Sequence, residues 1–234
     1  MNYHRLLICV LLLLLCVSIV IVKKGVCEKI ISRYKCPVYY PVWYEPSCFP
    51  RILTLKDNYP SILSELQKLP INILDRPRPT AIWTKCSREW KSYFKYLKNN
   101  QGWVIGLNSD GDWLNYPLCV YDKPSGLNSS ACPETMHVLR QIKGIRMAGF
   151  SLLKAKGRIK PHYDSSGMQY NSLTCHLGLV VNGKSVLIVN GQHKEQRAGE
   201  LLLFDATYTH AVFNFSNYDR FILYLDMDVR DSSC

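Results

Sequence analysis

His162 and Asp164 form an H-x-D pair. On an extended chain, residues i and i+2 project to the same face, so an imidazole and a carboxylate would stand side by side. His210 follows at the mouth of a later apolar run. Two imidazoles and one carboxylate on one face of an octahedral ion leave three positions open, as in non-haem Fe(II) oxygenases. Arg220 then begins the next apolar run. An inward guanidinium there is costly unless an anion, such as a co-substrate carboxylate, meets its planar fork. Plainer readings of the same residues stand beside this one. H-x-D is a short pattern, a single His on a strand is commonly structural, and Arg220 beside Asp219 also suits a surface position. His4 and His137 have no partner in sequence, and His193 falls in Gln192–Arg197, which reads as a polar turn.

The elements that must position these residues are short strands. Apolar runs at 148–153, 173–181, 185–189, 200–204, 210–213 and 221–226 are separated by Asn182-Gly183, Asn190-Gly191 and Ala198-Gly199. Short antiparallel strands with tight turns predict a sandwich or jelly roll. Upstream, Ile62, Leu63, Leu66 and Leu69 recur at helical spacing after Pro60-Ser61, and a second helix is expected over 87–97. Residues 76–79 form a proline break between them.

The amino terminus carries an uncharged apolar run, Leu6 to Val22, followed by Lys23 and Lys24 with no small-residue cleavage site close behind. It reads as an uncleaved transmembrane signal anchor, with a cytoplasmic tail over 1–5, a Pro-, Tyr- and Trp-rich stalk over 23–48 and one domain over 49–230. The flanking lysines favour the opposite orientation. Cysteine usage outweighs them: Cys27, Cys36, Cys48, Cys86, Cys119, Cys132, Cys175 and Cys234 show no C-x-x-C pair, which disfavours a zinc ribbon and favours disulfides in an oxidising lumen. A single-pass type II protein of the endoplasmic reticulum or secretory pathway is expected. A Cys119–Cys132 disulfide would close a Gly-, Pro- and Ser-rich loop, with Cys175 left free or paired elsewhere. Asn128-Ser129-Ser130 and Asn214-Phe215-Ser216 are glycosylation acceptors, the second less suited because Asn214 shares the inward face with His210. The net charge of +11 comes with no aromatic–basic signature for nucleic acid. No internal repeat is present, which excludes solenoids and propellers.

The segment from Gly149 to Asp228 resembles the aspartyl/asparaginyl β-hydroxylase family of 2-oxoglutarate oxygenases. The resemblance is carried by F-S at 150–151, P-H at 161–162, H-L-G-L at 176–179, G-E-L-L-L-F-D at 199–205, H-A-V-F-N at 210–214 and R-F-I-L-Y-L-D at 220–226, with G-D-W at 111–113 and A-C-P at 131–133 upstream. It implies an all-β, cupin-like double-stranded β-helix with flanking helices, and an Fe(II)- and 2-oxoglutarate-dependent dioxygenase. His162 and His210 would be iron ligands, and Ser151, His176 and Arg220 co-substrate contacts. Two departures stand out. The family's co-substrate-binding Arg is Thr174 here, whose neutral hydroxyl supplies no charged fork. Asp164 stands where well-known members carry Gly, which would restore a His-Asp-His triad. The implied substrate is an Asp or Asn side chain of a lumenal or secreted protein or peptide. The alternatives are a membrane-lipid acyl chain and a non-catalytic binding module retaining the fold.

Overall fold

The computed structural model describes residues 40–74, 98–106, 110–164 and 171–229, with 92, 95 and 96. The expected anchor at 6–22, the stalk up to 39 and most of the helix expected at 87–97 lie outside these residues. No described helix is long and apolar enough to cross a membrane.

From Pro41 onward the chain forms one compact unit of three layers. Twelve described strands run in chain order: β1 (Trp43–Tyr44), β2 (Val104–Ile105), β3 (Trp113–Val120), β4 (Lys123–Pro124), β5 (Ile145–Leu153), β6 (Arg158–His162), β7 (Ser172–Val180), β8 (Ser185–Val189), β9 (Gln192–Glu195), β10 (Leu201–Phe204), β11 (His210–Asn214) and β12 (Arg220–Asp228). A large sheet has the order β1-β10-β7-β12-β5-β3-β2, with β4 on β3, and a small sheet has the order β6-β11-β8-β9. Every strand pairing is antiparallel. This is the jelly-roll arrangement expected from the short apolar runs.

The period of two explains the layering. On β12, Leu223, Leu225 and Met227 join Leu173, Cys175, Leu177, Phe150 and Leu152 in the larger core, which the helices close. The alternate residues Arg220, Ile222, Tyr224 and Asp226 face the small sheet across a cavity. Leu153, Ile159, Leu187, Val189, Phe204 and Val212 form a second core on that side.

The helical layer comprises α1 (Pro50–Asp57), α2 (Tyr59–Lys68), α3 (Gly126–Ser130) and α4 (Pro133–Gln141). Ile62 and Leu66 of α2 are buried as their helical spacing predicts. Glu65, one residue from that stripe, is buried as well. Its carboxylate accepts from the backbone N–H groups of Glu134 and Thr135 at 2.8 Å each and from the Thr135 hydroxyl at 2.7 Å. The start of α4 has no capping side chain of its own, so a carboxylate from another helix satisfies its orphan donors and complements its dipole.

Several expectations are corrected. The stalk does not extend to residue 48: Trp43 and Tyr44 pair with Phe204 and Leu203, and Pro46–Cys48 is a 3-10 turn. Bulky aromatic residues here are edge-strand material rather than linker. The stretch at 192–197 is not a simple turn. Asn190 and Gly191 have φ of 48° and 75°, a two-residue hairpin geometry that folds β9 back onto β8, and His193 pairs with Ile188. Cys119 and Cys132 are free and buried, as is Cys175. The first two face the apolar core beneath the helices, and burial pushes each thiol up to about 12. Cys48 is disulfide-bonded. Neither glycosylation acceptor is available in this fold. Asn128 is fully buried and its amide bonds both the N–H and the C=O of Gly102. Asn214 is buried and donates to the carbonyls of Leu153, Lys154 and Tyr218. In both, the nitrogen that would carry a glycan is committed to the backbone.

Candidate active site

The small sheet supplies the metal-ligating types. His162 ends β6 and His210 begins β11, and the two are directly opposed across the ladder. Their rings lie 4.2 Å apart, centre to centre. Asp164 lies just beyond the strand, where its N–H donates to Ala206 O at 2.8 Å. That bond turns its carboxylate back toward the histidines, with Oδ2 3.7 Å from His210 Nε2. One ligand atom from each of the three residues falls within 4.8 Å of the others. Octahedral ligands at about 2.1 Å from an ion stand roughly 3 Å apart, so modest side-chain rotation would close the set. The donor types and the facial grouping fit a first-row divalent metal.

Both imidazoles are fixed in the same way. His162 Nδ1 meets Lys160 O at 2.7 Å, and His210 Nδ1 meets Tyr208 O at 3.0 Å. A carbonyl only accepts, so each Nδ1 carries the proton and each Nε2 keeps its lone pair for a metal. Burial and the neighbouring His162 pull the His210 pKa below the ordinary imidazole value, with Asp164 opposing. The ring is therefore held neutral, as ligation requires.

The large sheet supplies the opposite wall. Arg220 is 1% exposed, and none of its three guanidinium nitrogens has a hydrogen-bond partner. Burial draws its pKa down to about 9. The surface reading of this residue is excluded, and a buried cation with five unpaired N–H donors calls for an anion. Ser151, on the neighbouring β5, faces the same cavity. Trp113 Nε1 donates to its oxygen at 2.8 Å, which leaves the Ser151 proton free to point at an acceptor. His176 lines the cavity too, and its pKa is held well below the usual range by burial, by Arg220 and by His210.

Thr174, which the resemblance sets where the family carries Arg, lines the same cavity. Its hydroxyl donates to Asp226 Oδ1 at 2.6 Å, across the β7–β12 ladder where the two residues are paired. The hydroxyl is thus committed to a carboxylate of the same wall. Sequence reasoning missed Asp226, and it missed Gln196, whose side-chain nitrogen lies 3.2 Å from His176 Nδ1. Asp226 could have been found from the period of two on β12, which places it on the face of Arg220. Gln196 had no such signal, because its placement depends on a loop crossing β7. Gly178 of H-L-G-L shows the crossing: a Cβ there would lie 2.0 Å from Arg197 O.

The family model described as aspartyl/asparaginyl beta-hydroxylase matches residues 56–229. An ornithine lipid ester-linked acyl 2-hydroxylase of Rhizobium tropici is 26% identical over 80% of this chain and 60% of its own length. Aspartate beta-hydroxylase domain-containing protein 2 of Xenopus tropicalis is 26% identical over 70% of this chain and 45% of its own. The chain thus spans about half of the curated relatives it matches. Among solved structures, a predicted oxalate decarboxylase of Thermotoga maritima aligns at 16% identity with a TM-score of 0.37, over 55% of this chain and 91% of that one.

Proposed function

The chain belongs to the aspartyl/asparaginyl β-hydroxylase family, and on that premise we propose that it is an Fe(II)- and 2-oxoglutarate-dependent dioxygenase that hydroxylates an unactivated C–H bond. The observation that carries the reading is the pairing of two features across one cavity: a facial His162–Asp164–His210 set and an unpaired, buried Arg220.

His162, Asp164 and His210 would hold the iron through Nε2, a carboxylate oxygen and Nε2. When bound, the metal with its co-substrate supplies the oxygen-activating redox chemistry that no side chain can perform. The protein's own contributions are binding and orientation. Arg220 and the Ser151 hydroxyl would clasp the distal carboxylate of 2-oxoglutarate, and His176 would donate to its other end. Apolar Ile159, Phe204, Val212 and Ile222 line the same cavity and keep water from the reacting centre. With these walls the anion meets fixed donors in a low-dielectric site, where each is stronger than in water.

The family description points to Asp or Asn side chains as the substrate. A second reading, a lipid acyl chain beside an ester, is favoured by two observations. One is the likeness to the acyl hydroxylase. The other is the Asp226 carboxylate on the cavity wall, paired with Thr174, which would repel an acidic side chain. Purified full-length protein, reconstituted anaerobically with Fe(II), is expected to bind 2-oxoglutarate and to release succinate on admission of oxygen. Peptide substrates with Asp or Asn, and ester-linked acyl lipids, would then be compared for added oxygen by mass spectrometry. Absence of both 2-oxoglutarate binding and succinate would leave a binding module retaining the fold.

A further inference from the structure

The loop between β9 and β10 crosses β7 beside His176, held there by Gly178 N–H to Glu200 O and Gly199 N–H to Gly178 O. The crossing brings Gln196, 3% exposed, to the Nδ1 edge of the His176 ring. Gln196 is itself fixed at both ends. Its backbone N–H donates to Ser185 O at 2.9 Å, and its side-chain Oε1 accepts from Ser185 Oγ at 3.0 Å. In this arrangement Oε1 takes the serine proton and Nε2 faces His176 Nδ1 at 3.2 Å.

We propose that Gln196, oriented by Ser185, is a positioning residue that fixes His176 in the Nε2–H tautomer and so makes it a hydrogen-bond donor to the anionic ligand of the cavity. An amide nitrogen only donates, so His176 Nδ1 must accept, and a neutral imidazole then carries its proton on Nε2. The other two groups offered to the anion are donors of fixed polarity as well: the Arg220 guanidinium, and the Ser151 hydroxyl whose oxygen is already occupied by Trp113. The opposite tautomer would aim a lone pair at a carboxylate, and the cradle would lose one donor and gain one repulsion. His162 and His210 show the contrast within the same cavity. Backbone carbonyls face their Nδ1 atoms and leave Nε2 bare for a metal, whereas an amide nitrogen faces Nδ1 of His176 and leaves Nε2 protonated. Three histidines around one cavity are thereby assigned two roles by the partner at Nδ1.

The inference rests on the proposed function only for the identity of the anion, and its test reads the tautomer directly. Full-length protein in detergent, labelled with 15N-histidine, would be examined by long-range 1H–15N NMR, with the His176 signals identified from their loss in His176→Asn. The wild type is expected to show a pyridine-like Nδ1 and a pyrrole-like Nε2. In Gln196→Glu the carboxylate accepts instead of donating, so Nδ1 should become protonated. In Ser185→Ala the amide is released and the two tautomers should mix. Anaerobic titration with 2-oxoglutarate in the presence of Fe(II) should show affinity reduced by about tenfold or more in Gln196→Glu, as for loss of one hydrogen bond to a charged group, while Fe(II) affinity is retained. A pyrrole-like Nδ1 in the wild type, or an unchanged tautomer in Gln196→Glu, overturns the proposal whatever the variants' stability. If the wild type has the expected tautomer and Gln196→Glu reverses it, yet 2-oxoglutarate does not bind, the positioning role stands and the choice of co-substrate fails.

Discussion

Arg220→Met tests the central element of the site, because it separates a cation kept for a ligand from a cation kept for the fold. The residue it removes is buried and lacks any hydrogen-bond partner. A guanidinium whose pKa is drawn from 12.5 to about 9 bears a penalty on its charged form of roughly 5 kcal/mol, at about 1.4 kcal/mol per pH unit. That figure is an upper bound on the gain from removing the charge, since methionine fills the space less completely. The ligand-free variant should therefore be more stable than wild type by about 1–4 kcal/mol, the range seen when buried charges are replaced by packed apolar groups. Binding should move the other way. At a concentration of 2-oxoglutarate about a hundredfold above its Kd, the wild type should gain about 2.7 kcal/mol, and the variant should gain nothing. Urea denaturation with and without 2-oxoglutarate measures both quantities. Arg220→Lys keeps the charge but loses the bidentate fork, so ten- to a hundredfold weaker 2-oxoglutarate binding is expected. A ligand-free Arg220→Met protein destabilised by several kcal/mol would refute the reasoning, since it would show a guanidinium that holds the fold together. So would an undiminished stabilisation of that variant by 2-oxoglutarate.

His162→Ala and His210→Ala should each abolish Fe(II) binding in a folded domain, and Asp164→Ala should weaken it, as read by metal content after dialysis; full iron occupancy in both histidine variants would remove the ligand assignment. Glu65→Ala strands two backbone donors and the Thr135 hydroxyl at the start of α4, and should cost about 3 kcal/mol in urea denaturation; a change below about 0.5 kcal/mol would mean that water replaces the carboxylate without loss. Acidification should destabilise the protein from about pH 6.5 downward. His176 and His210 are held neutral by burial, so between the unfolded value near 6.5 and their lower folded values only the unfolded state takes up protons, and stability falls with pH by about 1.4 kcal/mol per unit for each histidine. In His176→Asn one of these contributions should vanish, and an unchanged slope would show that the ring is already solvated.

The strands of the last third were legible because period-two alternation and Gly-containing turns are local properties of the chain. Apolar residues on one side of a pleat must find a core, and the runs at 173–181 and 185–189 correspond to β7 and β8 within one residue at either end. The H-x-D pair was legible as a pattern, but Asp164 lies beyond the end of β6, and its bond to Ala206 O, a tertiary contact, brings its carboxylate to the histidines. What the sequence left open was decided by partners far along the chain. Whether Arg220 faced solvent depended on which side of β12 the small sheet covers. Whether Cys119 met Cys132 depended on α4 packing both thiols into the helical core rather than against each other. The sequons at Asn128 and Asn214 are tripeptide patterns, yet their amides were taken by backbone segments that only folding brings near. Gln196 shows the limit most clearly. It carries no pattern of its own, and its place beside His176 Nδ1 exists because Gly178, lacking a Cβ, lets the loop pass within contact of β7. Sequence periodicity sets which face a residue joins, but the partner it meets there is set by the crossing of chains, where hydrogen bonding and close packing act over distances that no local pattern encodes.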